Sequence, residues 1–212
     1  MASRSAFKSA RLTYRAVEDN DEDLDFLHSI SLDEEGFVNS NNMILRPQNK
    51  ESTKKWKQYL GTHLIAVIIC LTPSDADTAA AAAVAAGSDE AQTKKKADPT
   101  PIGVVSLTGL NPRATQHRNA NIGIDILPDY QRKGYGTEAI NWITQWGFKT
   151  YGLHRIGIES FSHNEGAGRL YEKLGFVPEQ RLREALWYQG GWSDQLGFAM
   201  LEDEWRQRQG QK

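Results

Sequence analysis

The spacing of apolar and polar positions divides the chain into alternating and helical stretches. Residues 12–17, LTYRAV, alternate and predict a first strand. The acidic cluster EDNDED (18–23) offers Asn20 or Asp21 as a cap and opens a helix through LDFLHSI. From Ser31 to Asn49 the chain is polar and shows no period. KESTKKWKQYL (50–60) predicts a second helix, with Gly61 placed to end it. The longest apolar run, LIAVIICL (64–71), suits a buried strand. PIGVVSLTGL (101–110), ANIGIDILP (120–128) and RIGIESFS (155–162) are strand-like, and a third helix is expected to run from near Gly134 to about Tyr151, stopped by Gly152. In EGAGRLYEKLGF, Ala167, Leu170, Tyr171 and Leu174 share one helical face before Gly175. Two strands around 177–188 and 194–201, joined by the Gly-Gly turn of YQGGWSD, finish the pattern. Mixed strands with four helices and a terminal hairpin give an α+β domain over residues 10–205 on one central sheet, then a polar tail at 206–212.

One stretch breaks this order. Residues 73–100 turn Ala-rich, with acids, a lysine triplet and no large apolar side chain except Val84. Such a segment cannot bury enough apolar surface to offset its ordering entropy, so a mobile, low-complexity loop between two neighbouring strands is expected. The lysine triplet reads as solvated loop. A formal net charge of −2 argues against a general nucleic-acid binder, and no apolar run reaches membrane-spanning length. The single cysteine, Cys70, excludes an intramolecular disulfide and reads as buried filler in its apolar strand. The N-terminal MASRSAFKSARL lacks an apolar signal core, so a cytoplasmic protein is expected; its acid-free Arg/Ser composition leaves mitochondrial targeting as the alternative.

The chemistry concentrates where strand meets helix, in LPDYQRKGYGTEA (127–139). A strand, a basic glycine turn and a helix in that order suit an anion held on backbone amides at a helix N-terminus. A dinucleotide fingerprint fits GYGTEA formally, with Glu159 as the distal acid, but that motif opens a doubly wound sheet and here several strands precede it. An NTPase phosphate loop fails, because the lysine comes before the glycines rather than after them. A pyrophosphate cradle with its cations first remains, with Gly134 and Gly136 allowing close backbone approach.

At this point the chain resembles the GNAT superfamily of acetyl-CoA-dependent N-acetyltransferases. Gln131, Gly134 and Gly136 fill its Gln/Arg-x-x-Gly-x-Gly/Ala motif, and Asn164, Leu170, Tyr171, Lys173, Gly175 and Phe176 fill its later Asn…Leu-Tyr-x-Lys-x-Gly-Phe block. Over 120–177 the likeness is strong, and the ending GGWSDQLGFAMLEDEW looks most like the branch of ribosomal-protein N-terminal and spermidine acetyltransferases. One departure is that Ala167 and Gly168 stand where that branch often carries Ser and Asn. The resemblance implies a GNAT fold: a mixed, mostly antiparallel sheet flanked by helices, with a V-shaped splay between two adjacent parallel strands. It implies a coenzyme site at Ile124, Ile126, Leu127, Gln131, Arg132, Lys133, Gly134, Tyr135, Gly136, Thr137, Asn164 and Tyr171, with acetyl-CoA as co-substrate and no metal.

Acetyl transfer to an amine needs a base, a polarised carbonyl and a proton donor for the departing sulfur. Glu159 is the leading base, since Ile156 and Ile158 alternate against Gly157 and Glu159; Asp125 is the substitute by the same alternation. Tyr171 is the expected acid, and a backbone N–H near Ile126 or Leu127 the expected polariser. Asn164 either holds the pantetheine or caps the helix. The five histidines lack metal-ligand spacing, and His154 reads as structural. The tryptophans from Trp142 to Trp192 read as core packing, with an acceptor groove as the other use. Direct transfer in a ternary complex is expected, to a small-molecule amine or a protein N-terminus, by a monomer or homodimer without nucleic-acid or membrane partners. The acidic stretches EDNDED and LDEE suit a cationic acceptor or a solvated helix face. The competing reading is a non-catalytic CoA-binding sensor or scaffold.

Overall fold

The computed structural model describes residues 5–72 and 99–210. Strands β1 (Leu12–Ala16), β2 (Ile65–Leu71), β3 (Thr100–Leu107), β4 (Asn119–Ile126), β5 (Arg155–Phe161), β6 (Val177–Tyr188) and β7 (Gly191–Leu201) form one sheet. Their order is β1-β2-β3-β4-β5-β7-β6, a seven-stranded sheet in which only β4 and β5 run parallel. The helices are α1 (Asp21–Ser31), α2 (Glu34–Ser40), α3 (Lys50–Leu60), α4 (Tyr135–Trp146), α5 (Glu165–Leu174) and α6 (Glu202–Arg208). No helix among the described residues is long and apolar enough to cross a membrane.

Alternation along the strands sends side chains to two separate cores. On one face Ile122, Ile156 and Ile158 pack with Ile140 and Ile143 of α4, Tyr171 of α5 and Trp205 of α6. On the other, Ile68, Cys70 and Val104 pack with Leu27 and Ile30 of α1 and Leu60 of α3. Asn20 caps α1 by accepting the Asp23 N–H, and Asn49 forms a reciprocal capping box with Ser52 at α3. Asp23, 1% exposed, accepts two guanidinium hydrogen bonds from Arg15 (2.8 and 2.6 Å) and the Glu18 N–H. Burial pushes its carboxyl up, but these donors outweigh it and hold the group below the usual carboxylate range.

The strands and the four expected helices lie close to their predicted places, and two further helices appear. α2 falls in the aperiodic stretch because it buries none of its side chains; an Asp33 cap on the Gly36 N–H holds its start. α6 runs through Arg208, so the first residues of the expected polar tail are helical around a buried Trp205. Gly61 does follow α3, yet its φ of −64° is right-handed, and the chain turns instead through Thr62 and His63 N–H bonds to Tyr59 and Leu60. Gly152 and Gly175 do adopt the left-handed conformation, with φ of +79° and +96°. The mobile loop expected at 73–100 lies outside the described residues except for its last two, and Thr100 already belongs to β3.

Between α4 and Gly152 the chain widens into a π-type turn, Gly147–Tyr151. It begins where the helix meets the sheet: a β-carbon on Gly147 would lie 2.8 Å from Ile156, 3.1 Å from Leu107 and 3.2 Å from Leu153. Gly147→Ala is therefore expected to cost about 1–3 kcal/mol of stability by overpacking, measured as a fall in urea midpoint at unchanged m-value.

Candidate active site

The site begins where two strands part. β4 and β5 pair from Asn119↔Arg155 to Ile122↔Ile158 and no further. Beyond that point β4 stays on β3 through Ile126↔Gly103, and β5 stays on β7 through Phe161↔Gln195. The facing edges of residues 123–126 and 159–161 are left without a strand partner, which is the expected V-shaped splay. The Leu127 N–H donates to the Ile102 carbonyl, so by alternation the main-chain groups of Ile124 and Ile126 point into the opening. Of the two amides expected to polarise a carbonyl, Leu127 is thus already engaged and Ile126 is the one that faces the slot.

At the wide end of the V the chain turns through Pro128–Tyr130 into the basic glycine segment. Gln131 donates its side-chain amide to the Ile126 carbonyl at 2.8 Å, tying the turn to the slot strand. Arg132 and Gly134 are left-handed, with φ of +57° and +82°. Gly134 caps α4 without a side chain, and the first amide to find a partner is Glu138, donating to the Gly134 carbonyl. Among the described residues the N–H groups of 132–137 have no protein acceptor. A β-carbon on Gly136 would meet nothing within 4 Å, so the space beside that residue is open. Thr137 lies in the first turn behind them, and the Lys133 ammonium lies 5.7 Å from the Tyr130 ring centre. Free amides at a helix N-terminus are able to hold an anion.

A contact that the sequence pattern did not signal adjoins this turn. Arg11, just before β1, stacks its guanidinium 4.5 Å from the Tyr135 ring and pairs with Glu138 at 2.9 Å; Ser9 also donates to Glu138, at 2.6 Å. Burial pushes the Glu138 carboxyl up, yet the donors from Arg11 and Ser9 bring it below its ordinary value. No local pattern signals a pair separated by most of the chain.

The candidate acid and both candidate bases line the slot from opposite faces. Tyr171, 7% exposed on α5, sits edge-on to Phe198 and makes no side-chain hydrogen bond among the described residues. Burial, and secondarily the Asp125 charge, push its phenol up to about 12. Asp125 is half-buried on the other face, against α2. Burial raises its carboxyl; the Ser40 hydroxyl counters part of this, and the Asp33 charge adds to it. Glu159 shares that face but is exposed, accepting the Gln195 side-chain N–H at 2.8 Å. Asn164 accepts the Ala167 N–H as the α5 cap and donates to the Asn39 carbonyl, while the His163 ring bonds Ser193 and the Val38 carbonyl. These two residues hang α2 on the start of α5. Trp142 stacks on Tyr14 in the core, whereas Trp187 and Trp192 form an exposed edge-to-face pair at the hairpin tip.

Residues 11–177 match the family described as Acetyltransferase (GNAT) domain. The chain is 39% identical over 88 residues to the uncharacterized N-acetyltransferase YoaA of Bacillus subtilis, covering 42% of this chain and 49% of that protein. It is 33% identical over 107 residues to the spermidine N(1)-acetyltransferase of Vibrio cholerae, covering 50% and 60%. To the putative ribosomal N-acetyltransferase YdaF of Bacillus subtilis it is 29% identical over 103 residues, covering 49% and 55%. The matched chain thus spans about half the length of these curated relatives. Among solved structures, a Vibrio cholerae spermidine N-acetyltransferase in complex with CoA and spermine superposes with a TM-score of 0.68 at 23% identity, over 93% of this chain and 99% of that one.

The raised Asp125 carboxyl has a signed consequence for stability. Because its folded-state pKa lies above the unfolded value, the folded protein binds the extra proton, and stability falls as pH rises from the unfolded pKa through the folded one. Asp125→Asn is expected to remove this loss, so that the variant gains on the wild type between acidic and neutral pH. Paired urea titrations across that range check the sign.

Proposed function

As the chain belongs to the GNAT acetyltransferase family, we propose that it transfers an acetyl group from acetyl-CoA to a primary amine by direct attack in a ternary complex. The observation that carries this reading is the continuity of cradle and slot. The open amides of 132–137 receive the diphosphate, and the unpaired edge of β4 at Ile124 and Ile126 receives the pantetheine through peptide-like bonds. Arg132 and Lys133 supply cations beside the turn, and the Ile126 N–H meets the thioester carbonyl.

A primary ammonium with a pKa of about 10 must lose a proton before its nitrogen can attack. The elevated, half-buried Asp125 suits that step at neutral pH better than the exposed Glu159, reversing the order expected from sequence. Glu159, with Asp33 nearby on the same side, draws a cationic acceptor toward the slot. As the new C–N bond forms and the C–S bond breaks, the sulfur needs a donor. A phenol at about 12 is a weaker acid than a thiol at about 8.5, so Tyr171 stabilises the leaving sulfur chiefly by hydrogen bonding. The second proton shed by the nitrogen completes the thiol. Acidic side chains on the acceptor side and the spermidine acetyltransferase relatives both support an acceptor carrying further positive charge, such as a polyamine.

The test is free-thiol release with acetyl-CoA and a panel of polyamines, peptides and small amines. Intersecting initial-rate lines are expected; parallel lines contradict a ternary complex, and binding of CoA with no thiol release from any amine favours the sensor or scaffold reading. Tyr171→Phe is expected to lower kcat about a hundredfold, with a far smaller change in CoA affinity. Asp125→Asn should lose turnover most below the amine pKa, the deficit shrinking as pH rises. Glu159→Gln should act mainly on KM for cationic acceptors; a large kcat loss there with Asp125→Asn near wild type would exchange the two roles.

A further inference from the structure

We propose that Arg11 is a positioning residue for the coenzyme: it braces the phosphate turn and neutralises the part-buried Glu138 carboxylate in the first turn of α4. The inference rests on acetyl-CoA binding at this turn and goes beyond it, because Arg11 lies outside both of the sequence blocks that mark the site.

Arg11 engages successive parts of the turn at once. Its backbone N–H donates to Glu138 at 2.7 Å and its Nε to the other carboxylate oxygen at 2.9 Å. Its Nη1 donates to the Lys133 carbonyl at 3.1 Å. Its guanidinium covers the Tyr135 ring, and its Nη2 lies 3.3 Å from where a β-carbon of Gly134 would stand. Arg11 therefore touches residues 133, 134, 135 and 138 at once. Its own backbone is held in turn, since the Arg11 carbonyl accepts the Thr72 N–H at the end of β2. The brace is anchored in the sheet.

Two physical consequences follow. A turn with left-handed Arg132 and Gly134 and no capping side chain has little local reason to keep its amides aligned. A trans peptide sets the Lys133 carbonyl opposite the Gly134 N–H, so holding that carbonyl also fixes the direction of the amide, and less ordering remains for the coenzyme to impose. The second consequence is electrostatic. A carboxylate in the first turn favours the helix itself but opposes an anion arriving at the same terminus. Glu138 is 14% exposed in its side chain and keeps its charge because Arg11 and Ser9 donate to it. Arg11 thus cancels a repulsion that the diphosphate would otherwise meet. Lysine cannot replace it, because a point charge on a flexible stem cannot make the fork and the stack together.

The experiment is calorimetric titration of wild type, Arg11→Met, Arg11→Lys and Arg11→Met/Glu138→Gln with CoA, alongside ligand-free melting curves and KM for acetyl-CoA. Arg11→Met is expected to weaken CoA about tenfold, with the kinetic loss falling on KM for acetyl-CoA more than on kcat. Arg11→Lys should recover only part of that affinity, and the double variant should bind CoA more tightly than Arg11→Met alone. A ligand-free melting temperature lowered with CoA affinity intact, in Arg11→Met or in Arg11→Lys should the former not fold, makes Arg11 a plain structural tie and overturns the proposal. Failure of the double variant to regain affinity overturns the charge-cancelling half. Wild-type protein that binds no CoA overturns the coenzyme reading itself, an outcome distinct from these.

Discussion

The site depends on a hydrogen-bond ladder that stops early. β4 and β5 are joined for four residue pairs and then separate, each kept in place by its outer neighbour. Main-chain groups on the separating edges lose their strand partners, and an unpaired backbone polar group inside a protein is costly unless something polar meets it, as Gln131 meets the Ile126 carbonyl. The outer pairings are long enough to hold that cost: β5 stays on β7 through Phe161, and β4 on β3 through Ile126. A slot kept open in this way offers an extended, amide-bearing chain the same hydrogen-bond chemistry that strands use for each other.

The groups around the slot are divided by the sheet itself. Tyr171 stands on the face covered by α4 and α5, while Asp125 and Glu159 stand on the face with α1, α2 and α3, and the opening is the place where the two faces communicate. That is why the Asp125 charge is felt by the Tyr171 phenol. Both groups are displaced toward their protonated forms by burial, which disfavours an isolated charge in either. A carboxylate kept in such surroundings lowers stability, and functional sites are where proteins tolerate that. α2, tied to the start of α5 by His163 and Asn164, brings Asp33 and Ser40 to the same carboxyl.

Much of this was legible in the residue pattern, because β4 and β5 alternate, β2 and β3 are apolar runs of strand length, and the glycine turn carries its own chemistry. Asn164 shows the limit: one asparagine between a strand and a helix reads equally as a cap or as a ligand, and it proves to cap α5 with one side-chain atom and grip Asn39 with the other. α2 was invisible because it buries no side chain and so leaves no period. Alternation places Asp125 and Glu159 on one face without saying that Asp125 is half-buried beside α2 while Glu159 stays exposed.

By itself, then, the sequence determined the α+β architecture, and it singled out the glycine turn and a short roster of candidate acid and base side chains, since each follows from local periodicity or from glycine and charge at fixed spacing. Tertiary structure alone decided that Leu127 gives its N–H to Ile102 while Ile126 faces the slot, that Asp125 is raised and Glu159 is not covered, and that Arg11 reaches across the chain to Glu138. Those properties are relations between segments distant along the chain. Burial, charge and hydrogen-bond partners come into being only when such segments meet, and no local pattern encodes them.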